Sequence, residues 1–94
     1  MNIREKNHSS EFRPDLYVLA RIIKVLMDKG EMNKTKLSIS SNLSYDKFMI
    51  YLKWMIERDL VEENNNVIKL KKKGIETYHE LVEWVFKYVG KIKF

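Results

Sequence analysis

Apolar residues between positions 14 and 29 recur every three or four places. Leu16, Leu19, Ala20, Ile23, Leu26 and Met27 form one strip, and Val18, Ile22 and Val25 a second. That period predicts a helix, and two apolar strips predict one that is covered on two sides. Pro14 suits a first helical position, Asp15 sits where the helix dipole is positive, and Gly30 closes the far end. Asn33 can cap a short second helix over 34–41, with Leu37 pointing inward. Asn42-Leu43 then reads as a tight turn, because Asn tolerates the left-handed backbone.

Ser44 can cap a third helix over 45–58, with Asp46 in its first turn. Phe48, Leu52 and Met55, with Tyr51 beside them, make its inward stripe. Asp46, Lys47, Ile50, Lys53, Trp54 and Glu57 fall mainly on the other side. Leu60-Val61-Glu62-Glu63 and Val67-Ile68-Lys69-Leu70 are β-prone runs on either side of Asn64-Asn65-Asn66, the pattern of a hairpin. A last helix is expected from Lys72 to about Val89, ended by Gly90, with Lys91 and Lys93 suited to its negative end.

The predicted order is helix, helix, helix, hairpin, helix. A short helix, a tight turn and a longer helix make a helix-turn-helix, and a hairpin directly after it is a wing. The expected fold is α+β, mainly α: a winged helix-turn-helix of three helices, a β-hairpin wing and a long C-terminal helix. The expected organisation is an arm over 1–13, a winged helix-turn-helix domain over 14–71 and a dimerisation helix over 72–94. The arm is slightly basic through Arg4, Lys6 and Arg13.

Composition narrows the function. Ninety-four residues allow one small domain, and a chain with 45% hydrophobic and 33% charged residues is of globular type. Eighteen Lys+Arg against 13 Asp+Glu leave a net charge of +5, which favours a polyanionic partner. No cysteine is present, so disulfides, thiolate nucleophiles and cysteine zinc sites are excluded. No apolar run approaches the roughly 20 residues of a membrane span, and residues 1–13 contain no signal-peptide stretch, so the cytoplasm is expected.

An α-helix fits the major groove of B-DNA and meets base edges near its N-terminal half. That places Ser44, Tyr45, Lys47 and Lys53 of helix 45–58 in the candidate interface. Asp46 opposes phosphate locally, and no Arg lies on the outer face of the first three turns, so contact with the backbone should outweigh base readout. Wing residues Asn65, Lys69, Lys71, Lys72 and Lys73, with Lys34 and Lys36 of the second helix, complete the candidate set. Residues 61–73 carry a net +2 despite Glu62 and Glu63. The Asn cluster is also turn chemistry, and a lysine run is also an ordinary solvated face.

The last helix has another task. Ile75, Tyr78, Val82, Val85, Val89 and Ile92 form a heptad-like seam, widened by Leu81, Trp84, Phe86 and Tyr88. An apolar arc this broad exceeds what a small monomer covers, and predicts a homodimer interface at Ile75, Tyr78, Val82, Val85 and Val89. The competing arrangement packs the whole arc on Val18, Ile22 and Val25. Catalysis has little support. Glu76, Glu80 and Glu83 share a solvent-type face, His8 and His79 lack metal-ligand spacing, and three glycines make no phosphate loop. No enzyme activity, cofactor or metal is expected. Trp84 to Phe94 has some interfacial-helix character, weakened by the glutamates before it.

The chain also resembles a known family. Asn42-Leu43-Ser44-Tyr45, Tyr51-Leu52 with Met55, Leu60-Val61, and Leu70 with Lys73-Gly74 are similar to the small archaeal winged-helix DNA-binding proteins, which include transcriptional regulators and chromatin-associated proteins. The similarity covers about residues 16–90, and its most specific piece is the Asn-Leu-Ser-Tyr turn. It implies a winged helix-turn-helix whose C-terminal helix pairs in an antiparallel coiled coil, hence a homodimer with two separated reading units. It puts Ser44, Tyr45 and Lys47 in the reading helix, and Asn65 and Lys69 in the wing. Lys71 stands where that family often has Thr, and Gly90 shortens the coil. The expected function is binding of double-stranded DNA, as a regulator or chromatin protein. No membrane partner is expected. The alternative is a winged-helix protein–protein assembly module without nucleic-acid binding.

Overall fold

The computed structural model describes residues 12–90. The predicted arm over 1–13 lies outside the described residues except for Phe12 and Arg13, as do Ile92 and the lysines at 91 and 93. The elements run α1 (Leu16–Lys29), β1 (Met32–Asn33), α2 (Lys34–Ser40), α3 (Tyr45–Glu57), β2 (Val61–Asn64), β3 (Val67–Leu70) and α4 (Lys72–Tyr88). This is the expected winged-helix order, with one addition. The two-residue β1 pairs antiparallel with β3, Met32 opposite Ile68 and Asn33 opposite Val67, so β3 is the centre of a three-stranded sheet. A run of two residues leaves no alternation to read; its pairing is decided by where the α1–α2 connection passes.

Short-range chemistry sets the ends of the elements. The Asp15 carboxylate accepts from the N–H groups of Tyr17 (2.8 Å) and Val18 (3.3 Å). Asp15 is therefore the cap, and α1 begins at Leu16 instead of Pro14. Asn33 caps α2 through the Lys36 N–H at 2.8 Å, and Ser44 caps α3 through the Lys47 N–H at 3.2 Å. Ser41 and Arg58 are C-caps, so α2 and α3 each end one residue earlier than expected. Asn42 turns between them with φ 59°. At the wing tip Asn65 and Asn66 have φ 51° and 68°. Positive φ at both central residues is the two-residue turn whose twist matches a hairpin.

The core lies between α1, α3 and the sheet. Ile22 and Ile23 of α1, Leu37 of α2, Phe48 and Met55 of α3, and Ile68 of β3 are fully buried. Both strips of α1 are used: α1 packs against α2, β3 and α4. Leu16 and Met27, expected inside, are exposed near the two ends of α1, Met27 at the rim of an open cleft shared with Lys69, Leu70 and Ile75. Two long-range hydrogen bonds orient α1. The Asp15 N–H donates to Tyr51 Oη at 2.8 Å, and Arg21 Nη1 donates to the Ser41 carbonyl at 3.1 Å. The first ties α1 to α3, the second to the helix-turn-helix corner.

Candidate nucleic-acid interface

Burying Phe48, Tyr51, Leu52 and Met55 forces the other side of α3 outward. Tyr45, Asp46, Lys47, Ile50, Lys53 and Glu57 are exposed there. Lys47 lies on the first turn and Lys53 two turns further on. Neither lysine has an ion-pair partner among the described residues. Ile50, 52% exposed between them, offers an apolar contact of the kind a thymine methyl takes. Ser44 already caps the helix by accepting one N–H at its hydroxyl oxygen, which leaves the O–H free to donate to a phosphate. Trp54 is half-buried, and the Arg58 guanidinium lies 4.1 Å from its ring centre. It packs at the core edge, and one ring face is taken by a cation.

The candidate lysines divide into two groups. Lys36, Lys47, Lys53, Lys69, Lys72 and Lys73 are exposed. Lys34 and Lys71 are engaged: Lys34 Nζ is 2.8 Å from Glu63 Oε2 on β2, and Lys71 Nζ pairs with Asp59 Oδ1. Sequence reasoning had no means to see either pair, because the partners are brought together only by the wing folding back on α2 and on the end of α3. Each hydrogen bond to a carboxylate raises the lysine above its ordinary pKa, and that from Lys71 lowers Asp59. Asn65, with its positive φ, serves the wing turn.

The start of α4 is electrostatically unusual. Its N-cap, Lys71, makes no side-chain cap bond, and its first turn carries Lys72 and Lys73 and no acid. Cations at the positive end of a helix dipole are unfavourable by some ~0.3–1 kcal/mol each at exposed sites. An anion bound there would relieve that cost.

The depressed Asp59 carboxyl has a testable consequence. A carboxyl lowered in the fold contributes stability that is present above its ordinary pKa, near 4, and is lost as pH falls through the folded value. Lys71→Gln should therefore lower the melting temperature slightly at pH 7, and the difference should shrink as pH falls below the ordinary carboxyl range. Thermal melts of both chains over a descending pH series check it.

The α4 seam splits. Val85, only 5% exposed, is covered by its own chain, and Tyr78 packs against the core beside Leu81. Two of the five expected interface residues thus serve the monomer. Ile75 and Val89 are exposed and Val82 is half-buried; with Phe86, 65% exposed, they form the strip left open. Its spacing of 7, 4 and 3 is that of a coiled-coil seam, rotated from the expected one. Trp84 and Tyr88 are also exposed, with their ring centres 4.9 Å apart and their planes tilted by 44°.

Glu76, Glu80, Glu83 and His79 are exposed on α4, and among the described residues no three His, Cys, Asp or Glu side chains converge as metal ligands would. His8 lies outside the described residues. Among the described residues no helix is long and apolar enough to cross a membrane.

Comparison with known proteins agrees with this architecture. A family model described as winged helix-turn-helix matches residues 13–87. Among solved structures, a crystal structure of ligand-free NadR is similar, with a TM-score of 0.64 and 22% sequence identity, over 78% of this chain. This chain spans 56% of that one, and at such identity the likeness is one of fold. No curated protein matches.

Proposed function

Because this chain belongs to the winged helix-turn-helix family, we propose that it binds double-stranded DNA as a homodimer, as a transcriptional regulator or chromatin protein of the cytoplasm. The observation that carries the reading is the uncovered outer ridge of α3, with Lys47 and Lys53 exposed on it and, among the described residues, no carboxylate paired to either. In this reading α3 enters the major groove, with Ser44, Tyr45, Lys47, Ile50 and Lys53 towards the duplex. Lys36, Lys69, Lys72 and Lys73 meet flanking phosphates, and Asn65 lies at the wing tip. Lys34 and Lys71 join only by exchanging carboxylates for phosphates. In this reading residues 14–71 form the reading unit, and α4 is the dimerisation element. With no Arg among the outward residues of the first three turns, affinity comes mainly from the backbone and specificity is weak.

Fluorescence anisotropy of a random-sequence duplex, titrated at several salt concentrations, tests the proposal. Binding should weaken with salt along a log–log line whose slope is about −0.9 per phosphate contacted. Folded protein that fails to bind at low salt refutes it. That result would favour protein assembly, a reading with one observation of its own. A cleft of about 420 Å³, lined almost wholly by apolar atoms of Met49, Ile50, Leu52 and Ile56, lies between α3 and Glu63 of the wing.

The dimer is proposed to form on the Ile75–Val82–Phe86–Val89 strip. Phe86→Glu should yield monomers in sedimentation while the helical circular dichroism stays intact. Val85→Glu should instead unseat α4 from α1, because its side chain is buried within the protomer. A Phe86→Glu chain that remains dimeric would move the interface elsewhere.

A further inference from the structure

Two clefts run along α3, and the residues they share define its crest. One cleft, of about 210 Å³, is lined by Phe12, Ile50, Lys53, Trp54 and Glu57. The cleft on the wing side also includes Ile50, Lys53 and Glu57, but its remaining wall is Met49, Leu52, Ile56 and Glu63. The crest therefore runs through Ile50, Lys53 and Glu57, with Phe12 on one flank and the wing on the other. Ile50 is 52% exposed there, near the middle of a 13-residue helix.

The charges around Ile50 are ordered. At 100° per residue, Lys47 and Lys53 project about 60° to either side of it, each about 4.5 Å away along the axis. Asp46 and Glu57 stay within about 40° of it. All five side chains are exposed, and among the described residues none of the four charged ones is in an ion pair. Around the helix the order is thus a cation, then a crest of one isoleucine and two carboxylates, then a second cation.

The major groove of DNA has the complementary order. Phosphates line its two edges, and its floor presents the amino donors of cytosine and adenine together with the C5-methyl of thymine. Lysines on the flanks suit the edges, whereas carboxylates on the crest repel phosphate and suit the amino groups. Ile50 then meets the apolar group of the floor. Trp54, about 40° from it, is not open for that contact. It is half-buried, and the Arg58 guanidinium lies 4.1 Å from its ring centre.

We infer, on the reading that α3 faces DNA, that Ile50 is a base-reading residue whose ligand is the C5-methyl group of a pyrimidine. Thymine and 5-methylcytosine carry that methyl; uracil and cytosine lack it. The preference adds to the backbone affinity, and burying one methyl is worth about fourfold in affinity at each half-site.

Duplex titrations by fluorescence anisotropy on the full chain test it. An alternating adenine–thymine duplex is compared with its adenine–uracil counterpart, which keeps every phosphate and hydrogen-bonding group and loses only the methyls. The wild type should bind the thymine duplex about fourfold more tightly, or more where both half-sites are filled. A guanine–cytosine duplex methylated at cytosine C5 should gain similarly over its unmethylated form. Ile50→Ala should bind the members of each pair alike, and Ile50→Val, which stays branched, should keep most of the preference. Because Ile50 is exposed, the helical circular dichroism of each variant should match the wild type. Equal affinity of the wild type for the members of either pair overturns the methyl contact and leaves the α3 reading standing. A preference that survives intact in Ile50→Ala also overturns it, since the methyl would then be read by another residue or through duplex shape. A wild type that binds no duplex overturns both.

Discussion

Gly74→Ala is expected to lower the melting temperature by roughly 8–16 °C. Gly74 is buried where α4 leaves the wing, and a Cβ there would lie 2.3 Å from the Leu60 carbonyl oxygen and 2.7 Å from Leu70 Cδ1. Neither the wing base nor the helix can yield easily. The Leu60 carbonyl accepts the Lys71 N–H at 3.0 Å, and the Leu60 N–H donates to the Met55 carbonyl at 2.9 Å. Relieving the clash separates α4 from the wing base and costs about 3 kcal/mol. The helical preference for Ala over Gly returns up to about 1 kcal/mol. The remaining ~2 kcal/mol is a large part of the stability of so small a domain, and each kcal/mol is worth about 4–8 °C. Thermal melting followed by circular dichroism measures it. An unchanged midpoint would mean that the α4–wing junction is looser than this contact requires.

Lys47→Glu combined with Lys53→Glu is expected to weaken duplex binding more than 100-fold at about 0.1 M salt. Two phosphate contacts are lost and two repulsions replace them, so the salt slope should fall by about 1.8 or more. Both side chains are exposed and unpaired among the described residues, so the melting temperature should stay within a few degrees of wild type. Anisotropy and thermal melts on the same preparation separate lost binding from lost fold. Undiminished affinity would remove α3 from the contact surface. Lys34→Gln should weaken binding less, because Glu63 already neutralises that lysine in the free protein.

Local chemistry made most of the fold legible. Asn33 and Ser44 cap as their residue types prefer, Gly30 closes α1 at φ 85°, and Asn42, Asn65 and Asn66 take the left-handed backbone that Asn tolerates. The inward stripe of α3 was readable because burial repeats with the helical period. Pro14 and Asp15 show the limit of that reasoning. Either residue can open a helix, and the carboxylate prevails because it satisfies two otherwise unpaired N–H groups. For the candidate site, the exposed cations were identifiable from their positions on α3 and the wing. The pairing of two of them was not.

What sequence alone determined is the four helices and the wing hairpin, most of their caps and turns, and the inner and outer sides of α3, since each depends on residues within about four positions of one another. What only the tertiary structure decided is everything set between distant segments. It placed β1 at the sheet edge, engaged Lys34 and Lys71 with carboxylates, left Phe86 instead of Val85 open on α4, and set Phe12 on the far side of the α3 ridge from the wing. A broad apolar arc or a lysine run defines a surface without defining its neighbour. The neighbour is chosen by chain entry, helix packing and strand register, which draw on the whole molecule at once.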